Sequence, residues 1–208
     1  MAICYLIGAG DFGGKIEKRK GDMIIAVDGG YDLLIQHGYT TDLLIGDFDS
    51  ISCKLPDCIE TIRFKSEKDE TDMFLAYIEG VKRGYTSFVI HGALGGRLDH
   101  TLANISLLTY AKEHGHESLI TDGKQNIICI KNEKISLVGT KGKYISVFAY
   151  GGDASDVSIR GAKYETDHAA LTPSFPLGVS NEFTDSPCEI SVGNGTLIII
   201  YEITPFSS

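Results

Sequence analysis

The 208-residue chain is defined first by what it lacks. No apolar run approaches the roughly 20 residues that a membrane-spanning helix needs, so no such helix is expected. The opening residues, MAICYLIGAG, carry no basic segment ahead of the apolar one, so no signal peptide is expected. Basic residues are scarce: 19 Lys and Arg stand against 28 Asp and Glu, for a formal net charge of −9. No basic patch of the kind that nucleic acid requires is visible, and the densest basic stretch, KIEKRK at residues 15–20, reads as a solvated helix face. The five cysteines are odd in number and irregular in spacing. Only Cys53 and Cys58 are close, and C-x4-C without a second pair is neither a zinc site nor a disulfide framework. Reduced, buried thiols and a cytoplasmic location are expected. H-E-x-x-H and the lysine P-loop are absent, and no Ser/His/Asp order argues for a hydrolase triad. There is no fixed-period repeat and no low-complexity segment.

What is present suffices for a real core, since 43% of the residues are hydrophobic. Up to about residue 122, short apolar runs at 3–7, 23–27, 43–45, 59–64, 88–90 and 119–120 read as buried strands. Between them, Met73, Phe74, Tyr77, Ile78 and Val81 share one helical face, as do Leu98, Leu102, Ile105, Leu108 and Ala111; Tyr31, Leu34 and Ile35 mark a shorter helix. This alternation predicts a mostly parallel sheet with helices on both faces. Beyond TDGKQN at 121–126 the pattern becomes β-rich and turn-punctuated, which predicts an antiparallel sandwich or barrel. The expected architecture is therefore an α/β domain over 1–123 and an all-β sandwich domain over 124–208.

Chemistry concentrates in a few motifs. GAGDFG at residues 8–13 matches a dinucleotide fingerprint, with Asp28 20 residues after Gly8. The segment after it offers only Phe12 and Ile16 to pack a crossover helix, which favours a plain glycine-rich loop at a strand end. AVDGG and LLIGDFDS place Asp28 and the pair Asp47 and Asp49 at the carboxyl ends of strands, where open α/β sheets gather ligands. In extended chain the residues of such a pair share a side, and two carboxylates so placed call for a cation. SEKDETD puts Asp69, Glu70 and Asp72 at the first turn of a helix. Capping explains one such acid, and the others could complete a site for a hard ion such as Mg²⁺. A chain this acidic would meet a polyphosphate only through cations. HGALGGRLDH supplies Gly95 and Gly96 for backbone approach to an anion at a helix N-terminus, Arg97 as a fixed cation, and Asp99 and His100 in the first turn. GVSNEF, read as a polar turn after a strand or as a recognition edge for a small molecule, supplies Ser180, Asn181 and Phe183.

Taken in order, AVDGG, GDFDS, KDETD, GGRLDH and GVSNEF resemble the motifs of thiamine pyrophosphokinases of the bacterial form. The resemblance covers nearly the whole chain. It implies transfer of a diphosphate group from ATP to the hydroxyl of thiamine, giving thiamine diphosphate and AMP, in a homodimer with active sites between subunits. By residue match it implies Asp47, Asp49 and Asp72 as Mg²⁺ ligands with Asp28 contributing, Arg97 and Asp99 as nucleotide and substrate contacts, and Ser180 and Asn181 as thiamine contacts. Lys68, Asp69, Gly95, Gly96 and His100 complete the expected substrate-binding set. Phe183 and Lys68 stand where some relatives carry Trp or Gln. An acid near the alcohol, Asp99 or Asp69, would accept its proton. No nucleic-acid or membrane partner is expected. The competing readings are an NAD-dependent oxidoreductase built on the loop at 8–13, a non-catalytic nucleotide or vitamin sensor, and a metal phosphohydrolase.

Overall fold

The computed structural model describes residues 1–49, 51–53, 58–64 and 69–204. They form two compact units, Met1–Asp122 and Gly123–Ser208.

Unit 1 is built on six parallel strands: β1 (Cys4–Ile7), β2 (Met23–Val27), β3 (Leu43–Gly46), β4 (Glu60–Arg63), β5 (Ser87–His91) and β6 (Glu117–Thr121), in the spatial order β6-β5-β1-β2-β3-β4. β1, β2 and β3 are buried at every position. Continuous apolar runs suit strands covered on both faces. The cover comes from α1 (Gly30–Gln36), α2 (Asp72–Lys82) and α3 (Leu98–Glu113). Tyr31 and Leu34 of α1 cluster with Tyr5, Ile7, Ile24, Ala26 and Leu44. α2 lies on the opposite face, where Gly80 packs so close to Phe88 and Cys4 that a Cβ there would fall 2.7 Å from the Phe88 ring. Neighbouring strand residues such as Cys4 and Tyr5 point to opposite faces, so the two helices sandwich the sheet. α3 joins α2 through Phe74 and Tyr110, whose ring centroids are 5.0 Å apart. β4, at the edge, is mostly exposed and charged, as an unpaired edge should be.

Unit 2 holds eight antiparallel strands in two sheets. One has the order β12-β9-β14-β7, from β12 (Gly178–Glu182), β9 (Tyr144–Ala149), β14 (Thr196–Glu202) and β7 (Gln125–Lys131). The other is β11-β10-β13-β8, from β11 (Thr166–Leu171), β10 (Ala154–Arg160), β13 (Cys188–Asn194) and β8 (Lys134–Leu137). Inward residues of both sheets, among them Ile145, Val147, Leu197, Val157 and Ile190, make one core. The alternating burial of β9 is the signature of a sheet with one face covered.

Three expectations require correction. Residues 15–20 form no helix; the segment between β1 and β2 is irregular and is anchored by the buried Ile16. On α3 the buried face is Asn104, Leu107, Leu108 and Ala111, while Leu98 and Leu102 are 71% and 53% exposed. The apolar periodicity was real, but the helix is rotated so that the polar Asn104 faces inward. GVSNE is strand β12 rather than a turn, because it pairs with β9 across a bulge between Gly178 and Asn181. One strand had no counterpart in the sequence reading: the polar TDHAAL is the edge strand β11, which pairs with β10 on one side only.

Candidate active site

In a parallel sheet all carboxyl ends lie along one edge, and the order of unit 1 reverses between β1 and β5. A ligand crevice is expected at that reversal. Here the crevice is closed by backbone. The amides of Gly8 and Gly10 donate to the carbonyls of His91 and Gly92 at 2.9 Å each, and the Asp11 amide donates to the Leu94 carbonyl at 2.6 Å. The Gly92 amide returns a bond to the Asp11 carbonyl at 3.2 Å. These donors are the ones a dinucleotide pyrophosphate would need, and no helix follows them. The dinucleotide reading therefore has no support. Asn104 of α3 fastens the same loop by donating to the Ala93 carbonyl at 2.9 Å.

The acids lie further along the edge, towards β3. Asp28, just beyond β2, has φ +45, and its Oδ1 accepts the amides of Asp47 at 3.0 Å and Phe48 at 3.4 Å. Gly46 makes this possible. Its φ is +148, and a Cβ there would sit 1.6 Å from the Asp28 Oδ1. Phe48 is also left-handed, at φ +69. Asp47 and Asp49 therefore do not lie in extended chain as expected. They belong to a tight turn in which the Asp49 amide donates to the Asp47 Oδ1 at 3.0 Å. Arg63, at the end of β4, braces this turn by donating to the Asp47 carbonyl at 3.0 Å and lying over the Phe48 ring. Two strained non-glycine residues at adjoining strand ends are a mark of a functional site.

Asp72 opens α2 but is not its cap. Thr71 is, accepting the Phe74 amide on its hydroxyl at 3.2 Å. Asp69 and Glu70 precede the helix and are exposed. The Asp28 carboxyl is pushed up to about 6, first by burial, then by the charge on Asp72, with a further push from Asp47; the bonds from the 47 and 48 amides oppose it. Negative charge from three separate loops thus meets at one place. Among the described residues no three acidic, His or Cys side chains already stand as a metal-ligand cluster. The carboxylates meet as charges rather than as a finished coordination shell. Their chemistry nevertheless fits a hard divalent ion: every donor is oxygen, and the Asp28 Oδ2 takes no hydrogen bond among the described residues.

At the other loop, Arg97 is the residue before α3. Its Nε and Nη2 donate to both oxygens of Asp99, at 3.1 and 2.6 Å, in full solvent exposure. Mutual pairing holds the Asp99 carboxyl below its usual range. The His100 amide also donates to Asp99, at 3.0 Å, and the His100 side chain is exposed. Gly95 and Gly96, at φ +76 and +70, form the turn into the helix. Lys68 lies outside the described residues. In unit 2, Ser180 is exposed at φ +60, and its amide donates to the Ser146 hydroxyl at 3.1 Å. Asn181 is only 5% exposed, and its amide group is already engaged: Oδ1 accepts the Tyr164 and Glu182 amides, and Nδ2 donates to the Tyr164 carbonyl at 2.6 Å. Phe183 is 1% exposed and packs in the core of unit 2, so it offers no ring to a ligand. Arg63 and Asn104 carried no sequence signal, because each matters through a partner distant in sequence; Thr71 could have been found as a preferred N-cap residue just ahead of the α2 apolar face.

The family model described as the thiamin pyrophosphokinase catalytic domain matches residues 16–120. A second, the thiamin pyrophosphokinase vitamin B1 binding domain, matches residues 125–197. The chain belongs to the thiamin pyrophosphokinase family. A thiamine pyrophosphokinase of Bacillus subtilis (strain 168) is 30% identical over 182 residues, 85% of each chain. Thiamin pyrophosphokinase 1 of Caenorhabditis elegans is 23% identical over 81% of this chain and 74% of its own. Among solved structures, a thiamine pyrophosphokinase from Bacillus subtilis superposes with a TM-score of 0.88 at 24% identity, covering 98% of this chain and 99% of that one. The yeast thiamin pyrophosphokinase does so at 0.69 and 17% identity, over 98% and 86%. The fold is thus shared with bacterial and fungal members of the family.

Proposed function

We infer that this chain is a thiamine diphosphokinase, transferring a diphosphate group from ATP to the hydroxyl of thiamine and releasing AMP. The observation that carries the reading is the meeting of carboxylates from β2, β3 and α2 at the carboxyl edge of a parallel sheet, in a chain whose two parts match the two halves of the family. In this reading residues 1–123 are the ATP-binding catalytic domain and residues 124–208 the β-sandwich thiamine-binding domain. The resident ion is Mg²⁺, held by Asp47, Asp49 and Asp72 with Asp28 contributing. When bound it supplies charge neutralisation on phosphate oxygens and polarises the phosphorus under attack.

The side chains supply the rest. Diphosphoryl transfer is mostly positioning and charge stabilisation. Arg97, now paired with Asp99, exchanges that exposed partner for phosphate oxygens, which its fork fits equally well. That exchange frees Asp99 to accept the proton of the attacking alcohol, Asp69 being the alternative acid for that role. Gly95 and Gly96 let backbone amides approach the phosphates, and Lys68 and His100 add contacts at the same end. Ser180 touches thiamine through its hydroxyl, and Asn181 acts by shaping the backbone around Tyr164, given its internal bonds. Exposed Phe175, Leu177 and Val179, beside and on the edge strand β12, support a homodimer, and the active sites would lie at the subunit interface. Five free cysteines fit a reducing cytoplasm.

The test is incubation with ATP, Mg²⁺ and thiamine, followed by separation of AMP from ADP. Thiamine-dependent AMP is the expected result. ADP would mean single-phosphate transfer, AMP without thiamine would mean hydrolysis, and binding without turnover would mean a sensor.

A further inference from the structure

Asp11 has no part in the set of residues above, yet its carboxylate is held in a defined place. Its backbone is bonded on both sides to the loop after β5, through the Leu94 carbonyl and the Gly92 amide. Its side chain lies flat against the α-carbon of Gly95: a Cβ added there would be 2.6 Å from the Asp11 Cγ, 2.6 Å from Oδ1 and 2.8 Å from Oδ2. Gly95, at φ +76, is thus the residue that leaves room for this carboxylate beside the turn into α3. The carboxylate takes no hydrogen bond or ion pair among the described residues, so it is neither a cap nor half of a salt bridge.

We propose that Asp11 determines nucleotide specificity by accepting hydrogen bonds from the ribose hydroxyls of ATP. The inference rests on the diphosphokinase reading and goes beyond it by assigning the nucleoside end of the substrate. An ionised carboxylate accepts hydrogen bonds and offers none, so a pair of hydroxyl donors suits it. Neighbouring strands lie about 4.8 Å apart, which puts the end of β1 about 10 Å from the end of β3. A nucleotide whose terminal phosphates sit at the acids near β3, and whose inner phosphate meets the glycine turn and Arg97, brings its ribose to Asp11. Two acceptor oxygens match two vicinal hydroxyls, as acidic residues do in other nucleotide sites.

The experiment compares ATP, 2′-deoxy-ATP and 3′-deoxy-ATP in thiamine-dependent AMP formation by the full-length wild type and by Asp11→Ala. The side chain is exposed and its backbone bonds survive the change, so folding is not at stake. The wild type should prefer ATP over either deoxynucleotide by about tenfold in kcat/KM. In Asp11→Ala the KM for ATP should rise by a similar factor, with kcat falling less, and the preference should collapse towards one. A wild type with no preference, or a variant that keeps the wild-type ratio, overturns the proposal. If the wild type forms no AMP, the diphosphokinase reading itself has failed. Calorimetric affinities of both proteins for the same three nucleotides then decide the role of Asp11 by the same ratios.

Discussion

The two units differ in where they keep their strained residues. In unit 1 the described non-glycine residues with left-handed backbone are Asp28 and Phe48, which stand beyond neighbouring parallel strands and are joined by a hydrogen bond. In unit 2 they are Asn132, Asp156, His168 and Ser180, spread over a hairpin turn and two bulged pairings. An antiparallel sheet uses such residues to bend and turn, so there they report geometry. A parallel ladder does not need them, so strain gathered at its carboxyl edge reports a site. Concentration of strained residues, rather than their mere presence, thus marks the candidate site.

The acids of unit 1 should respond most strongly to substitution. Asp72→Asn should lower thiamine-dependent AMP formation by about 10²- to 10³-fold with the melting temperature nearly unchanged. Thr71 rather than Asp72 caps α2, so the cap bond is kept in this variant. Normal turnover in the purified variant at limiting Mg²⁺ would remove Asp72 from the site.

Glycine substitutions sharpen the same contrast through stability. Gly46→Ala forces a Cβ into the Asp28 carboxylate and should cost about 3 kcal/mol in urea unfolding, with activity falling alongside. Gly152→Ala, in a unit 2 turn with nothing within 4 Å of the new Cβ, should stay within about 0.5 kcal/mol. Equal effects at both positions would show that the turn at β3 is not under the constraint described.

Two histidines set the units against each other in pH. His91, 3% exposed at the end of β5, is pushed down to about 4 by burial, partly offset by a bond to the Gly13 backbone, and its Nδ1 has no partner among the described residues. The unfolded ring titrates near 6.5, so between those values the unfolded chain binds more protons. Stability held above pH 6.5 is therefore lost as the pH falls towards 4, by about 3 kcal/mol. His91→Phe, which keeps a ring against Phe12, should flatten that acid slope in urea titrations; an unchanged slope would remove His91 as its cause. His168 has the opposite sign. Its bond to Asp156, and then the charges of Asp167 and Asp156, raise it, against slight burial and Arg160. Its contribution is complete below 6.5 and is lost as the pH rises through the raised value. The pair is exposed, so His168→Gln should bring only a small loss of stability at pH 6 in urea unfolding, shrinking as the pH rises.

Much of unit 1 was legible. Runs such as CYLI and MIIAV are buried throughout, and a strand covered on both faces cannot hide its apolar character. Helix α2 was legible for the same reason, since Met73 and Tyr77 face the sheet. β11 was not, because an edge strand may carry Thr166, Asp167 and His168 without burying them. The exposure of Leu98 and Leu102 was not, because periodicity gives the width of an apolar stripe and not the rotation of the helix. At the candidate site, the acids beyond β2 and β3 were visible as carboxylates ending apolar runs. The roles of Asn104, Arg63 and Asp11 were invisible, because each depends on a partner 11 or more positions away.

Sequence alone determined the alternation of buried strands with α2 and α3 up to residue 122, the change to antiparallel texture beyond it, and which residue types could meet phosphate and a divalent ion. Those properties follow from side-chain chemistry read at periods of two and 3.6. Only the tertiary structure decided that residues 8–11 are zipped to the loop after β5, that Asp28 draws in the amides of 47 and 48, and that Phe183 is core rather than contact. These depend on which backbone groups find each other across the fold, and a hydrogen-bond partner is a matter of place, which no local pattern of residues encodes.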